Sequence, residues 1–208
     1  MLVIKNAQLP NGETANLWIA NGCIAGIGKV PGNIQEIDAT GLLVVPGGID
    51  PHVHFREPGG THKETNATGS HAALQGGTTT VFLMPNTNPA LDRIDRAEAW
   101  STSMEAQPID ARFWFGATPH NVDELQWVAK CPNIFCGVKL YMGSSTGDLL
   151  VAQEDVQRRI FAACAKHGLV LAVHAEDEEL MRGNLEAIKA REGEVRVAHH
   201  NEIRSKEV

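Results

Sequence analysis

Two histidines separated by one residue, His52 and His54, give the first chemical indication in this sequence. They stand in the segment PGGIDPHVHFREPGG. Residues two apart on a strand point to the same side, so both imidazoles can converge on one metal ion. Two hydrogen-bonded polar residues at a strand end are the alternative. The flanking prolines and glycines favour a strand that enters a shaped loop.

Two further side chains, Lys139 and His174, follow apolar runs. Lys139 lies in CGVKLYMGSSTG and His174 in LVLAVHAEDEE. Taken singly, a histidine after an apolar run is more often a hydrogen-bonded core residue, and a strand-end lysine is normally solvated or paired. Both, however, end predicted strands, as His52 and His54 do. The carboxyl ends of strands are where α/β proteins build their active sites.

Those strands belong to a regular alternation of strands and helices after residue 45. Apolar runs predict strands over 43–49, 78–84, 111–117, 135–141 and 169–174, followed in turn by helices over 62–76, 91–106, 121–130, 153–167 and 176–191. This alternation implies a parallel sheet covered by helices. Its period alone does not distinguish a doubly wound sheet from part of a closed barrel.

The first 45 residues have a different pattern of short alternating runs. Asn-Gly pairs at 11–12 and 21–22 separate these runs. Because both residues tolerate positive φ, an Asn-Gly pair between alternating runs predicts a β-hairpin. We therefore expect a small all-β portion before the α/β part.

Composition excludes several classes of protein. Among 208 residues, 25 are acidic and 18 are basic, which gives a formal net charge of −7 and no basic stripe for a nucleic acid. The apolar runs fall far short of the roughly 20 residues that span a membrane. The four cysteines are scattered and form no zinc-binding pattern. We expect a cytoplasmic protein with reduced cysteines.

The motifs HVHFREPG, MPNTNP and GVKLYMGSSTG together resemble the N-terminal part of a dihydroorotase of the amidohydrolase superfamily. The resemblance extends over essentially the whole chain. It implies an α/β fold of the (β/α)8 TIM-barrel type, with about five βα units present in an incomplete catalytic domain over 46–208. Residues 1–45 would be the N-terminal β-sandwich portion.

The resemblance also implies a zinc site. In that family, residues matching His52 and His54 bind one ion and the residue matching His174 binds a second. The residue matching Lys139 reacts with CO2, and its carbamate bridges the two ions. The family's remaining ligands, a strand-six histidine and a catalytic strand-eight aspartate, would lie beyond residue 208. We therefore assign no catalytic residue and expect a truncated chain that is inactive alone.

Arg56 and Asn86 match the family's clamp for the carboxylate of dihydroorotate. A guanidinium offers a planar fork suited to a carboxylate, and an amide adds a neutral donor. The alternative is structural: Arg56 would pair with Glu57 at the surface, and Asn86 would form a turn beside Pro85.

The implied activity is the interconversion of dihydroorotate and N-carbamoyl-L-aspartate in pyrimidine biosynthesis. A related cyclic amidase, such as a hydantoinase or allantoinase, is one alternative. A non-catalytic relative that only binds a partner is another. The expected substrate is a small molecule, with no nucleic acid or membrane involved. For a protein partner, the resemblance leaves open a second copy of the chain or aspartate transcarbamoylase.

Overall fold

The computed structural model describes residues 1–29, 32, 34–145 and 147–208. They form two compact units, Met1–Gly47 and Gly48–Val208. Within these described residues, no helix has both the length and the apolar character needed to cross a membrane.

The first unit contains one four-stranded sheet. Its strands are β1 (Leu2–Gln8), β2 (Thr14–Ala20), β3 (Cys23–Ile27) and β4 (Gln35–Asp38), in the order β3-β2-β1-β4. Asn21 and Gly22 both have positive φ, 53° and 75°. They form the predicted tight turn between β2 and β3. The prediction of a β-sandwich over 1–45 stays a prediction, because the described residues of this unit form a single sheet.

The second unit alternates strands and helices, as the sequence predicts. Its strands are β5 (Gly48–Val53), β6 (Thr78–Leu83), β7 (Asp110–Gly116), β8 (Phe135–Tyr141) and β9 (Leu171–His174); its helices are α1 (Asn66–Gln75), α2 (Ala97–Glu105), α3 (Leu125–Val128), α4 (Glu154–His167), α5 (Glu178–Glu192) and α6 (His200–Ile203). All neighbouring strands pair in parallel. The α/β class and the parallel sheet are thereby confirmed.

The order of the strands, β5-β6-β7-β8-β9, follows the chain without a reversal. A doubly wound sheet reverses its order at a switch point, where helices begin to cover the other face. In a (β/α) barrel, by contrast, the strands follow one another in chain order and all helices lie on the outer side of the sheet. Topology therefore decides between the two architectures that the sequence period left open.

The hydrophobic core lies under the middle strands. Val138 and Leu140 of β8 are fully buried in one cluster with Phe115, Leu125 and Ile160. At the two edges of the sheet, Ile49 of β5 is 64% exposed and Val173 of β9 is 41% exposed. An edge strand has a neighbour on only one side, so its apolar side chains lose half of their cover.

Helix α4 shows how sequence spacing attaches a helix to this core. Its buried residues are Val156, Ile160 and Cys164, which are spaced by four and so lie on one face. Acidic side chains occupy its first turn, and Lys166 and His167 its last turn, which matches the helix dipole.

Three elements differ from the sequence prediction. β5 begins at Gly48 rather than residue 43, because Leu43 bridges to Gln8 in the first unit. The helix predicted over 121–130 is only a short 3₁₀ turn, Val122–Glu124, followed by the single turn of α3. The short polar strand β4 has no apolar pattern and was not predicted.

The amide of Asn121 holds the loop after β7. Asn121 is buried; its Nδ2 donates to the carbonyl oxygens of Asp92 and Gly116, both at 2.8 Å. Its Oδ1 accepts from the backbone N of Thr118 at 2.8 Å. One side chain therefore ties the end of β7 to the loop before α2.

We expect Asn121→Ala to lower the free energy of unfolding by about 2–4 kcal/mol, because it removes three hydrogen bonds to backbone groups, one of them buried and two part-buried. Urea unfolding of the chain measures this loss. Gln126→Ala is the matched control, since that exposed amide donates a single hydrogen bond and its loss should cost about 0.5 kcal/mol. Equal losses in the two variants would contradict the structural role of Asn121.

Candidate metal-binding active site

The sequence-predicted ligands lie along the carboxyl edge of the parallel sheet. His52 is the penultimate residue of β5, and His174 is the last residue of β9. Lys139 lies in β8, two residues before the strand ends, opposite Ala172 of β9. Three separate strands thus bring their side chains to one edge of the sheet, as predicted from their positions at strand ends.

His52 and His54 face each other through the same ring nitrogen. Their Nε2 atoms are 3.2 Å apart. Two imidazoles bound tetrahedrally to one zinc ion, each at about 2.1 Å, place their nitrogens roughly 3.4 Å apart. The observed separation therefore fits two ligands of a single ion.

The backbone around His52 is shaped by Asp50 and Pro51. The Asp50 carboxylate accepts a hydrogen bond from the backbone N of His52 at 3.0 Å, and the pairing of β5 with β6 shifts register between Asp50 and Val53. Trp114 in β7 donates from Nε1 to the Pro51 carbonyl oxygen at 2.9 Å. These contacts hold the end of β5 in the conformation that presents both histidines.

Asn86, in the loop after β6, orients the ring of His54. Its Oδ1 lies 2.7 Å from His54 Nδ1. Because an amide oxygen only accepts, Nδ1 carries the proton and Nε2 keeps its lone pair. Such a hydrogen bond from the far nitrogen is the usual support of a metal-binding histidine. The sequence-based prediction assigned Asn86 to substrate binding and did not include this contact with His54.

Lys139 is a buried amine. It is 2% exposed, and its Nζ lies 5.0 Å from the centre of the Tyr141 ring. In the part of the chain that the structure describes, no carboxylate forms an ion pair with it. Burial lowers the pKa of Lys139 because the charged form loses its hydration.

Electrostatic effects connect these residues. Burial lowers the pKa of His52, and the charges of Lys139 and His174 lower it further, against an opposing effect of Asp50. These effects link side chains of β5, β8 and β9 electrostatically.

Burial likewise lowers the pKa of His54. The Asn86 hydrogen bond opposes this shift, and the charge of Arg56 adds to it. Arg56 itself is exposed.

The Glu57 carboxylate binds the start of α1. Glu57 Oε2 accepts from the backbone N of Asn66 at 2.7 Å, at the start of α1. Glu57 thereby satisfies one of the open N–H groups of this helix.

The four predicted ligands do not form one closed coordination sphere. Among the described residues, no group of three or more His, Cys, Asp or Glu side chains is arranged to hold a metal ion. His52 and His54 are paired directly, whereas His174 Nε2 contacts Glu176 Oε2 at 2.6 Å.

Glu176 and Arg204 are two residues near the site that sequence reasoning missed. The Glu176 carboxylate accepts from His174 and is bonded to the Arg204 guanidinium. These contacts lower the pKa of Glu176, with the Arg204 hydrogen bond as the main cause. An acidic residue two positions after a strand-end histidine was the available indication for Glu176; nothing local indicated Arg204.

Comparison with known proteins agrees with this architecture. A sequence model of the family described as Dihydro-orotase-like matches residues 41–110. The chain is 38% identical to an allantoinase of Deinococcus radiodurans, over 91% of this chain and 44% of that protein. It is 36% identical to a dihydroorotase of Methanosarcina acetivorans, over 97% of this chain and 43% of that protein. The chain thus spans less than half the length of these relatives.

Among solved structures, the chain is similar to an L-hydantoinase (dihydropyrimidinase) from Arthrobacter aurescens. The TM-score is 0.83 at 26% sequence identity, and the match covers 98% of this chain and 46% of that one. Fold and sequence together place the chain in the amidohydrolase superfamily. The matching sequence model is that of dihydroorotase-like proteins, and the similar relatives include both dihydroorotases and allantoinases.

The lowered pKa of His54 predicts a pH dependence of stability. The unfolded chain takes up a proton at this ring near pH 6.5, whereas the folded chain resists it, so the free energy of unfolding falls as the pH drops through that region. We expect a smaller fall in His54→Gln, measured by urea unfolding between about pH 8 and about pH 5.5.

Asn86→Ala should change the pH dependence of stability in the opposite direction from His54→Gln. The Asn86 hydrogen bond raises the pKa of His54, so its removal should deepen the loss of stability at low pH. An unchanged pH dependence in both variants would contradict the lowered pKa of His54.

Proposed function

We propose that this protein is a metal-dependent cyclic amide hydrolase, a dihydroorotase that interconverts dihydroorotate and N-carbamoyl-L-aspartate in pyrimidine biosynthesis. The observation that carries the proposal is the environment of Lys139. Its amine is buried and has no carboxylate ion pair among the described residues, and its charge lowers the pKa of His52, whose ring contacts His54. A permanently protonated lysine at this position would be costly and would repel metal ions.

Lys139 is suited to react with CO2. The lowered pKa increases the share of neutral amine, the form that attacks CO2. A nitrogen–carbon bond forms, one proton leaves the nitrogen, and the amine becomes a carbamate with two anionic oxygen positions. This modification turns a buried positive charge into a negative one, which neighbouring cations stabilise.

The proposed cofactor is zinc, with two ions per complete site and the carbamate of Lys139 between them. Zinc, when bound, acts as a Lewis acid and lowers the pKa of water towards neutrality. His52 and His54 would hold one ion, and His174 the other. Asn86 fixes the ring of His54, so that its Nε2 lone pair remains available.

Arg56 and Asn86 are the proposed contacts of the substrate carboxylate. The guanidinium of Arg56 is exposed near His54 and offers two parallel donors to a carboxylate. Asn86 lies on the other side of His54 from the metal-binding nitrogen. A carboxylate-reading pair at this edge favours dihydroorotate over cyclic amides that lack the carboxylate.

Residues 46–208 would be part of a (β/α)8 TIM barrel, and residues 1–45 part of a β-sandwich. In this proposal, three further βα units provide the sixth-strand histidine and the catalytic aspartate. The expected location is the cytoplasm. A second copy of the chain and aspartate transcarbamoylase are the proposed protein partners.

An allantoinase is the second candidate function. Identity to the allantoinase of Deinococcus radiodurans is as high as identity to the dihydroorotase relative. Both reactions open a cyclic amide, so the same metal ligands serve either one. Turnover of a panel of dihydroorotate, allantoin and hydantoin separates the two functions. A non-catalytic relative would bind no zinc and open none of these rings.

In an active form of the protein, Arg56→Met should reduce kcat/KM for dihydroorotate by about thirty- to a thousandfold, or about 2–4 kcal/mol. The substrate carboxylate would lose its charge-assisted hydrogen bonds. Steady-state kinetics should show a far smaller effect on hydantoin. Arg158→Met, an exposed arginine on α4, is the control and should leave both substrates unaffected. Equal losses for both substrates would refute the clamp.

Lys139→Ala should abolish zinc retention and activity in the same form of the protein, because the anion between the ions is lost. Short carboxylic acids should restore part of the activity by replacing that anion. Native mass spectrometry of the zinc-loaded protein should show the added mass of one CO2, which the variant lacks. Lys166→Ala, an exposed lysine of α4, is the matched control. A zinc-loaded active protein with an unmodified Lys139 would refute the carbamate.

The 208-residue chain alone should not turn over dihydroorotate above background. General acid–base groups contribute about 10²–10⁴-fold to rates, and the proposed catalytic aspartate is not among these residues. A polypeptide with the three further βα units of the proposed barrel should restore activity if it pairs with β5 and β9. Full turnover by the chain alone would contradict the incomplete barrel, and zinc analysis of both preparations tests the metal centre separately.

A further inference from the structure

Glu176 contacts the ring of His174, and Arg204 in turn contacts Glu176. We call these two residues the His174 support. Glu176 Oε2 lies 2.6 Å from His174 Nε2 and also contacts Arg204 Nη1. Their side chains are largely buried, 21% exposed for Glu176 and 28% for Arg204. The chain therefore places a partly exposed carboxylate–guanidinium pair beside the Nε2 atom of a strand-end histidine.

Arg204 connects this support to a second loop. Its Nη2 donates to the carbonyl oxygen of Ser144, in the loop after β8, at 2.8 Å. The preceding residue, Gly143, packs against Glu176 so closely that a Cβ there would lie 2.5 Å from Glu176 Cβ. The backbone N of Ser144 donates to Glu178 at 2.7 Å. The loops after β8 and β9 and the segment after α6 thus meet around one carboxylate.

This arrangement sets the tautomer of His174. An ionised carboxylate only accepts hydrogen bonds, so Nε2 of a neutral His174 ring must carry the proton. Nδ1 then keeps the lone pair and is the nitrogen available to a metal ion. A rotation of Glu176 would release Nε2 and make both tautomers accessible. Arg204 opposes that rotation because it binds Glu176 and the Ser144 backbone at the same time.

We propose that Glu176 and Arg204 are positioning residues of the proposed zinc centre, which fix the tautomer and direction of His174 so that it binds metal through Nδ1. The inference rests on the proposed function, since it needs His174 to be a ligand. Neither residue touches substrate or metal in this role. Their partners lie up to 60 residues apart in the sequence, so the support forms only in the folded chain.

A surface salt bridge of purely structural value is the competing interpretation. It predicts that removal of either residue changes the free energy of unfolding but neither the His174 tautomer nor zinc affinity. Tautomer and zinc affinity therefore distinguish positioning from stabilisation, and both can be measured without catalytic turnover.

The first test is the tautomer of His174 in the metal-free 208-residue chain, read by long-range ¹H–¹⁵N NMR of the histidine rings. We expect the Nε2–H form in the unmodified chain and a mixture in Arg204→Met. Arg182→Met is the matched control, because Arg182 pairs with Glu178 rather than Glu176. It should keep the Nε2–H form. An Nδ1–H ring in the unmodified chain would overturn the proposal without any reference to zinc.

The second test is zinc titration of the active form of the protein, which carries the complete site, against a chromophoric chelator, with the His174 resonances as a reporter of the site. We expect Arg204→Met and Glu176→Gln to weaken zinc binding at His174 by about ten- to a hundredfold. Arg204→Lys should recover part of the affinity, because it keeps a cation at Glu176. Glu179→Gln, on an exposed neighbouring side chain, is the control for the loss of one carboxylate.

The outcomes separate the two levels of inference. Unchanged zinc affinity at His174 in both variants would overturn the positioning role and leave the zinc centre intact. If zinc did not affect His174 in the unmodified active form of the protein, the proposed metal centre itself would be wrong. Should Glu176→Gln fail to fold, the tautomer of the unmodified chain and the comparison of Arg204→Met with Arg204→Lys still decide.

Discussion

Parallel pairing of β5 to β9 in chain order is the constraint on which the rest of this structure depends. Because each strand runs in the same direction, all of their carboxyl ends lie along one edge of the sheet. His52, Lys139 and His174 are separated by as many as 122 positions in the sequence. They reach the same edge only because β5, β8 and β9 run in the same direction. The helices occupy the connections and leave that edge to loops.

A second consequence of this pairing is the burial of Lys139. β8 has a neighbour on each side, so its side chains are covered, including a lysine near its end. Desolvation disfavours the ammonium form, which lowers the pKa of the amine and makes it chemically unlike a surface lysine. Fold and chemistry are coupled here, since the same burial that stabilises Val138 and Leu140 changes the reactivity of their neighbour.

The loops that follow the strands complete the site by orienting its histidines. Asn86 contacts His54 from the loop after β6, and Glu176 contacts His174 from the loop after β9. In each pair an oxygen acceptor binds one ring nitrogen and leaves the other available. The strands thus place the rings, and the loops determine which ring atom faces the site.

Most of the strand and helix pattern was predictable, because it depends on local alternation of apolar and polar residues. His52 and His54 could be placed on one side of a strand from their spacing alone, and Lys139 and His174 at strand ends from the apolar runs before them. Two elements departed from that pattern: the polar β4 carries no such alternation, and the helix after β7 is a 3₁₀ turn and one α-helical turn. Sequential strand order came only from the pairing.

The amino-acid sequence by itself therefore determined the residue types of the site and the strand ends that carry them. Tertiary structure alone decided how the rings are held. The contact between His54 and Asn86 joins residues 32 positions apart, and that between Glu176 and Arg204 joins residues 28 positions apart. Such contacts depend on strand register and on the path of each loop. Neither is encoded in local spacing, because both follow from how distant segments pack against one core.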